Sequence, residues 1–251
     1  MLALLLLLVA SPVVMAADSA FVAGATGGTG RLIVDALLAQ HIPVRAMTRD
    51  PEKAAAAPGV TWVAGDVTRP ETLAPAIGAA GIVISAIGAR DMTGANSFEF
   101  VDWGGNRALI DAAKAAHVRQ VLLITSGSAG DEVPQGLRSP TIRPSLLFKA
   151  KAEAYLRASG VPYTIVAPGG LRDTPGGQAG LRLLPRSGYQ LGVVARADVA
   201  TLAVACTLDA ACLGKTITVV NDPARPVDAW RAILATLPAD TPATIRAPAP
   251  N

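Results

Sequence analysis

Aromatic residues are scarce in this sequence, at 4% of 251 residues, and charged residues make up only 16%. The first shortage leaves packing to Ala, Val, Leu and Ile. The second, set against 51% hydrophobic residues, excludes an intrinsically disordered chain and leaves material for a sizeable core. Two cysteines and two histidines are too few for a disulfide framework or a recognisable zinc site, so no metal is expected. Cys206 and Cys212 read most simply as a small apolar residue on a helix and another in the following loop; they could form one bridge if the protein is exported. His41 and His117 fit ordinary positions at helix C-termini. A basic run interleaved with aromatics is also missing. The formal charge of +3 comes from 22 Lys and Arg spread along the chain, so nucleic-acid binding has no support.

A long hydrophobic run occurs once. Leu2 to Ala10 is apolar and continues through Ser11 and Pro12 to Ala17. It is short for a membrane-spanning helix, which needs about 20 residues, so no stable membrane span is expected. It matches a secretory apolar region followed by small residues, with Val14-Met15-Ala16 or Met15-Ala16-Ala17 as the cleavage site, although no Lys or Arg precedes it. A start at Met15 is the alternative and gives an ordinary cytoplasmic N-terminus. The compartment is therefore exported or periplasmic on one reading, and cytoplasmic on the other. Residues 1–17 are set aside as a leader, and residues 18–251 are taken as one domain, because no Pro- or Ser-rich linker divides them.

From residue 20 onward, short apolar runs alternate with helical patterns. Strands are expected at Ala20–Ala23, Val44–Thr48, Thr61–Ala64, Ile82–Ser85, Val121–Thr125, Tyr163–Val166 and Thr216–Val220. Helices are expected at Arg31–Gln40, Pro51–Ala57, Pro70–Ile77, Phe98–Ala116, Leu146–Ser159, Asp198–Leu208 and Val227–Leu237, with Asp198 as an N-cap. Continuously apolar strands alternating with helices indicate an α/β, doubly wound parallel sheet (a Rossmann fold) of about seven strands with helices on both faces. Asp131–Pro144 and Arg172–Gly192 are Gly- and Pro-rich, read as irregular, and are expected to wall the substrate side.

Gly24-Ala25-Thr26-Gly27-Gly28-Thr29-Gly30 follows the first strand and opens the first helix. Glycine permits the tight turn and lets backbone N–H groups reach a pyrophosphate, while the helix N-terminus supplies partial positive charge. Thr26 and Thr29 add hydroxyl donors. A nicotinamide dinucleotide site that prefers NAD(H) places an acid at the end of the second strand. Here Arg49 occupies that place, and a guanidinium suits a 2′-phosphate by charge and fork geometry. Arg31, in the first helical turn, could close the other side, and Asp50 reads as a helix N-cap before Pro51. NADP(H) is therefore favoured over NAD(H).

Together with Thr48-Arg49-Asp50, Gly65-Asp66-Val67 and Ser85-Ala86-Ile87-Gly88, this turn resembles the atypical short-chain dehydrogenases/reductases, particularly their NmrA-like NAD(P)-binding branch. The resemblance continues through Asp111-Ala112-Ala113-Lys114, Ser159-Gly160-Val161-Pro162-Tyr163-Thr164 and Pro168-Gly169-Gly170-Leu171 to Arg196-Ala197-Asp198-Val199-Ala200. It implies that Asp66 and Val67 border the adenine; the plainer alternative makes Asp66 a loop-capping carboxylate before Thr68. It further implies that Ser85, Ala86, Ile87 and Gly88 run past the nicotinamide ribose, and that Pro168, Gly169 and Gly170 cradle the nicotinamide. Gly104 and Gly105 fit either close packing beside the cofactor or a loop before a later helix start.

Two departures stand out. Ser145 replaces the tyrosine of the superfamily's Tyr-x-x-x-Lys pair, and Ala167 stands where the branch often has Arg. The resemblance implies an NADPH-dependent oxidoreductase acting on a small-molecule acceptor (a quinone, flavin or carbonyl). A non-catalytic NADP(H)-binding redox sensor or assembly factor is the alternative, and a sugar-nucleotide epimerase the third. Lys149 and Lys151 point about 200° apart on their helix, so only one can face the cofactor. The spacing of Lys149 to Ser159–Thr164 resembles that of the functional lysine in isoflavone-type reductases. Ser126, with Ser128 in reserve, is the hydroxyl expected to orient the acceptor. Against this stands a solvated Lys149 beside Lys151, and a Ser126 that caps the strand-end turn.

Overall fold

Eight strands form one sheet in the computed structural model, which describes residues 19–130 and 142–241. The leader, and the part of the Asp131–Pro144 stretch before residue 142, lie outside the described residues. In chain order the elements are β1 (Ala20–Ala23), α1 (Gly28–Ala39), β2 (Val44–Thr48), β3 (Val60–Ala64), α2 (Leu73–Ile77), β4 (Ile82–Ser85) and, after a π-helical segment at Glu99–Gly105, α3 (Asn106–Ala115). There follow β5 (Gln120–Ile124), α4 (Arg143–Ala158), β6 (Tyr163–Pro168), β7 (Gly170–Arg172), β8 (Gly180–Pro185), β9 (Val193–Ala195), α5 (Arg196–Leu208), β10 (Lys215–Asp222) and α6 (Trp230–Thr236).

The strand order is β3-β2-β1-β4-β5-β6-β10-β8. The order reverses between β1 and β4, and in such sheets ligands bind beyond the carboxyl ends of the strands at that point. Side-chain alternation along each strand feeds two cores. Ala20, Val22, Ile82, Ile84 and Leu122 face α1, α5 and α6. Phe21, Ala23, Val83, Val121 and Leu123 face α2, α3 and α4. Strands buried on both faces are why the sequence shows unbroken apolar runs rather than alternation.

The doubly wound α/β fold stands, with three corrections. Arg172–Gly192 is not irregular: β8 lies there and adds an antiparallel eighth strand against β10, while β7 and β9 pair as a separate parallel ribbon. Leu181 and Leu183 are buried in β8 while Arg182 and Leu184 are less so, the alternation of an edge strand; flanking Gly and Pro conceal it in the sequence. Pro51–Ala57 forms only a 3₁₀ turn at Pro51–Lys53; Asp50 takes its N-cap position as expected, but its side chain makes no cap hydrogen bond and pairs with Lys53 Nζ at 2.5 Å. Asp198 is not the N-cap of α5, which is Ala195. From the first turn its carboxylate accepts from Gly177 N at 2.7 Å and Asn221 Nδ2 at 2.8 Å.

His41 and His117 adopt positive φ (57° and 51°) just past α1 and α3, the left-handed position that ends helices. Cys206 and Cys212 depart from the simplest reading: they are bonded, with Cα atoms 5.3 Å apart, and both are fully buried. Their backbone carbonyls accept from Gln120 Nε2 at 3.0 Å and Thr164 Oγ1 at 2.9 Å, so the turn from α5 into β10 is fixed to the sheet on both sides. Among the described residues no buried side-chain nitrogen or oxygen lacks a partner. Thiol titration of the denatured, unreduced protein should therefore find no free cysteine, and Cys206→Ala should lower stability by about 2 kcal/mol. Two titratable thiols per chain would refute the pairing.

Candidate functional site

The turn from β1 into α1 is shaped by what a side chain would hit. A Cβ on Gly24, whose φ is +81°, would sit 2.7 Å from the Ala86 carbonyl oxygen, so the turn passes directly against the end of β4. A Cβ on Gly30 would sit 2.0 Å from Gly24 O, so the third glycine lets α1 close onto the turn. Gly27 N donates to Gly24 O at 2.9 Å, and Arg31 N to Gly27 O at 2.9 Å. Gly27 is the N-cap of α1, with no side-chain cap and no acid in the first turn. The helix thus starts with a partly positive end and no acidic residue in its own first turn.

Beyond the strand ends lies a cavity of about 590 Å³. Its walls come from Gly24, Thr26 and Gly27 of the turn, Thr48 and Arg49 after β2, Gly65–Thr68 after β3, and Ala86–Asp91 after β4. Gly28, Thr29 and Gly30 form the first turn of α1 beside it. Arg49 is exposed at the rim, its Nη1 3.5 Å from Asn96 Oδ1. Arg90, which sequence reasoning missed, is exposed on the same cavity from the β4 side. Arg31 is exposed on α1 and outside this lining.

Asp66 Oδ1 accepts from Thr68 N at 2.9 Å and Thr68 Oγ1 at 2.8 Å, so one carboxylate oxygen ties the loop. Val67 meets the π-helical segment, where a Cβ on Gly105 would stand 2.8 Å from Val67 Cγ2. Close packing therefore accounts for Gly105.

Ala86, Ile87 and Gly88 border the cavity, whereas Ser85 is buried beneath it. Ser85 Oγ donates to Asn106 Oδ1 at 2.6 Å, and Asn106 Nδ2 donates to Asp102 O at 2.8 Å. The π-helical segment is thereby joined to the sheet, and its wide turn places Asp102 inward. π-Helical insertions are common at functional sites. Asp102 is fully buried. Its Oδ1 accepts from Lys149 Nζ at 3.0 Å and Ala89 N at 3.2 Å, and its Oδ2 accepts from Ser145 Oγ at 3.1 Å. A Cβ on Gly88 would lie 3.8 Å from both Asp102 Oδ1 and Lys149 Nζ, so this cluster stands directly behind the cavity wall. Lys149 keeps 17% of its side chain exposed. Lys151 instead lies against the Phe148 ring, 5.4 Å from its centroid. Asp102 was overlooked in the sequence, and its signal was an acid held between Val101 and Trp103.

The remaining expected residues lie away from the cavity lining. Ser126 Oγ accepts from Ser128 N at 3.3 Å, within the turn after β5. Arg186 Nη1 donates to the carbonyls of Ser126 and Gly127 at 2.7 and 2.8 Å, and Arg186 pairs with buried Glu153. Pro168 O accepts from Gly127 N at 2.7 Å, and Gly170 N donates to Gly192 O at 2.8 Å. A Cβ on Gly169 would meet Gly192 O at 2.4 Å. These glycines therefore make the joint between β6, β9 and β10.

The model of a family described as NAD(P)H-binding matches residues 24–210. Among curated proteins, the chain is 34% identical to an uncharacterized chloroplastic protein of Arabidopsis thaliana over 230 residues, 86% of this chain and 81% of that one. Sanguinarine reductase of Eschscholzia californica is 40% identical over 114 residues, spanning 42% of this chain and 40% of its own. Protein TIC 62 of Pisum sativum is 35% identical over 176 residues, 60% of this chain and 32% of that protein. Among solved structures, the oxidoreductase YlbE of Lactococcus lactis superposes with a TM-score of 0.74 at 23% identity, covering 86% of this chain and 96% of that one. ChuY, an anaerobillin reductase of Escherichia coli O157:H7, gives 0.66 at 27% identity, with 83% and 100% coverage.

The glycine contacts carry a direct consequence. Gly30→Ala must push α1 off the turn, so nucleotide titration should show affinity lost on the order of tenfold or more while far-UV circular dichroism stays unchanged. Retained affinity would show that the turn does not hold the ligand.

Proposed function

Because the chain belongs to the NAD(P)H-binding family of atypical short-chain dehydrogenases/reductases, we propose that it is an NADPH-dependent oxidoreductase reducing a small or planar acceptor: a quinone, a flavin or a carbonyl compound. The observation that carries this reading is the cluster of Asp102, Lys149 and Ser145 behind Gly88. A dinucleotide fits the glycine turn, because a Cβ would fill the cradle and the first turn of α1 holds no acidic residue. NADPH, when bound, supplies the hydride.

The protein's own groups divide the remaining work. The first turn of α1, with Thr26 and Thr29, receives the pyrophosphate. Asp66 keeps Oδ2 for the adenine amine while Oδ1 holds Thr68, and Val67 lies against the ring. Arg49, with Arg90 across the same cavity, receives the 2′-phosphate. Ala86, Ile87 and Gly88 flank the nicotinamide ribose. Lys149 donates hydrogen bonds to that ribose and to the acceptor's oxygen as negative charge builds there. Asp102 fixes the ammonium in place, and Ser145 completes the carboxylate's hydrogen bonding where the superfamily has tyrosine. Ser126 and Ser128, in the turn after β5, would orient the acceptor from outside the cavity lining. Sanguinarine reductase and ChuY, both named as reductases, support the class of reaction.

The second reading is a non-catalytic NADP(H)-binding sensor or assembly factor. It is favoured by two observations: Ser145 brings no phenol, and the Ser126 oxygen is engaged by Ser128. NADPH oxidation measured against a panel of quinones and flavins decides between them. Turnover with one class of acceptor is expected; tight NADPH binding with no turnover on any would give the second reading.

Two variants test the assignments. Arg49→Asp should weaken NADPH binding tenfold or more and NADH binding much less, since a charge-assisted contact is worth roughly 1.5–3 kcal/mol. Equal weakening of both would make Arg49 an ordinary surface charge. Lys149→Ala should lower turnover by about tenfold or more with a smaller change in NADPH affinity, and Lys151→Ala should do neither. Removing Lys149 also strands the buried Asp102 carboxylate, so a falling melting temperature should accompany it and should be relieved in the Lys149→Ala, Asp102→Asn double variant.

A further inference from the structure

One cation near the phosphate turn is not used by the reading above. Arg196 opens α5, and its Cδ and Nε lie 3.4 Å from the place a Gly28 Cβ would occupy. The side chain therefore crosses the first residue of α1, whose first turn holds no acidic residue. Its Nη1 is held 2.7 Å from Asp173 Oδ1, with 26% of the Arg196 side chain exposed against 83% for Asp173. The arginine's backbone is firmly placed. Asn221 Oδ1 accepts from Ala195 N at 2.8 Å, and Asn221 Nδ2 donates to Asp198 Oδ2 at 2.8 Å. Asp198 Oδ1 in turn takes Gly177 N at 2.7 Å, tying down the chain a few residues beyond Asp173.

This arrangement is a guanidinium held over a helix N-terminus by a weak, solvent-exposed counterion. An exposed Arg–Asp pair is worth little, whereas Arg on a phosphate makes strong, charge-assisted, bidentate bonds. Gly28 opens the first turn of α1, next to Gly27 of the cavity lining, and a Cβ there would only touch the Arg196 side chain at ordinary contact distance, so the guanidinium already packs on the start of the helix. We propose that Arg196 is a pyrophosphate clamp of the NADP(H) site, with Asp173 as the place-holder it leaves when the dinucleotide binds. The proposal rests on the cofactor reading given above. It assigns Arg196 a task distinct from that of Arg49: Arg196 grips the diphosphate common to both dinucleotides, while Arg49 reads the 2′-phosphate. Asp198 and Asn221 then act as positioning residues for the clamp.

The experiment is calorimetric titration of the full protein with NADP⁺, NAD⁺ and adenosine 2′-monophosphate, which lacks the pyrophosphate. Arg196→Gln is expected to weaken NADP⁺ and NAD⁺ alike, by about tenfold or more, and to leave adenosine 2′-monophosphate within about twofold. Asp173→Asn removes the competing carboxylate and is expected to tighten NADP⁺ by about threefold, the size of a surface ion pair. The clamp is overturned if Arg196→Gln leaves NADP⁺ binding unchanged, or weakens the 2′-monophosphate as much as NADP⁺. Should Arg196→Gln fail to fold, unchanged NADP⁺ affinity in Asp173→Asn overturns it instead. A wild-type protein that does not bind NADP⁺ at all would sink the cofactor reading itself, and the clamp with it.

Discussion

The approach of Gly24 to the Ala86 carbonyl, at 2.7 Å for a notional Cβ, determines where every other part of the site can stand. It brings the β1–α1 turn against the end of β4 at the point where the strand order reverses. Gly30 then lets α1 close onto Gly24, which puts the helix end beside the cavity rather than beneath it. The same closeness makes backbone, not side chains, the wall of the cleft from Ala86 to Gly88. Behind that wall there is room for one buried layer, and the layer is polar: Ser85, Asn106 and Asp102 in sequence.

That polar layer explains the character of α4. Two of its side chains, Lys149 and Glu153, lie one turn apart and serve opposite purposes. Glu153 is fully committed: Thr125 Oγ1 donates to it at 2.6 Å, Arg157 Nη2 at 3.0 Å, and Arg186 completes the set. Arg157 continues to Asp240 at 3.1 Å, which also accepts from the Tyr163 hydroxyl at 3.0 Å. Burial first, and the Asp240 charge second, push the Tyr163 phenol well above its ordinary pKa, so it stays a neutral donor. Buried ions of this kind are costly to desolvate and add little net stability, but a complete set of partners specifies one arrangement. The turn at Ser126 and Gly127 is held through Arg186 as part of that arrangement. Lys149 has one carboxylate partner and keeps some exposure.

How far the sequence could be read follows from which of these relations are local. Parallel strands buried on both faces announce themselves as apolar runs, and the glycine turn sits in one stretch between a strand and a helix. The place of Arg49 on the cavity rim was legible because its distance from that turn is set by one βαβ unit. Asp102 was not, because its meaning lies in Lys149, 47 residues away, and in a π-helical turn with no hydrophobic period of its own. The strand β8 was hidden by short length and by the glycine and proline that edge strands tolerate. Cys206 and Cys212 are separated by six positions, and only the reversal after α5 brings their Cα atoms to 5.3 Å. Arg196 stood inside a recognised stretch, yet nothing in the sequence says that α5 begins over Gly28.

The two halves of the site therefore answer to different constraints. The half around the glycine turn is built from backbone: glycines without Cβ atoms, a helix end and strand termini, all fixed by the sheet. The half behind Gly88 is built from side chains on α4 and the π-helical segment, where a substitution alters chemistry without moving the cradle. Ser145 in place of tyrosine is such a change, since Ser145 Oγ still reaches Asp102 Oδ2 at 3.1 Å and the Lys149 pair is kept. A proton donor at that place must work through the ammonium and the serine hydroxyl rather than a phenol. Under the proposed function, the acceptors this would suit are those whose reduced oxygen or nitrogen needs only a hydrogen bond and a nearby cation, because solvent can complete the protonation. Quinones and flavins meet that requirement more readily than an unactivated ketone, whose alkoxide needs a proton as the hydride arrives.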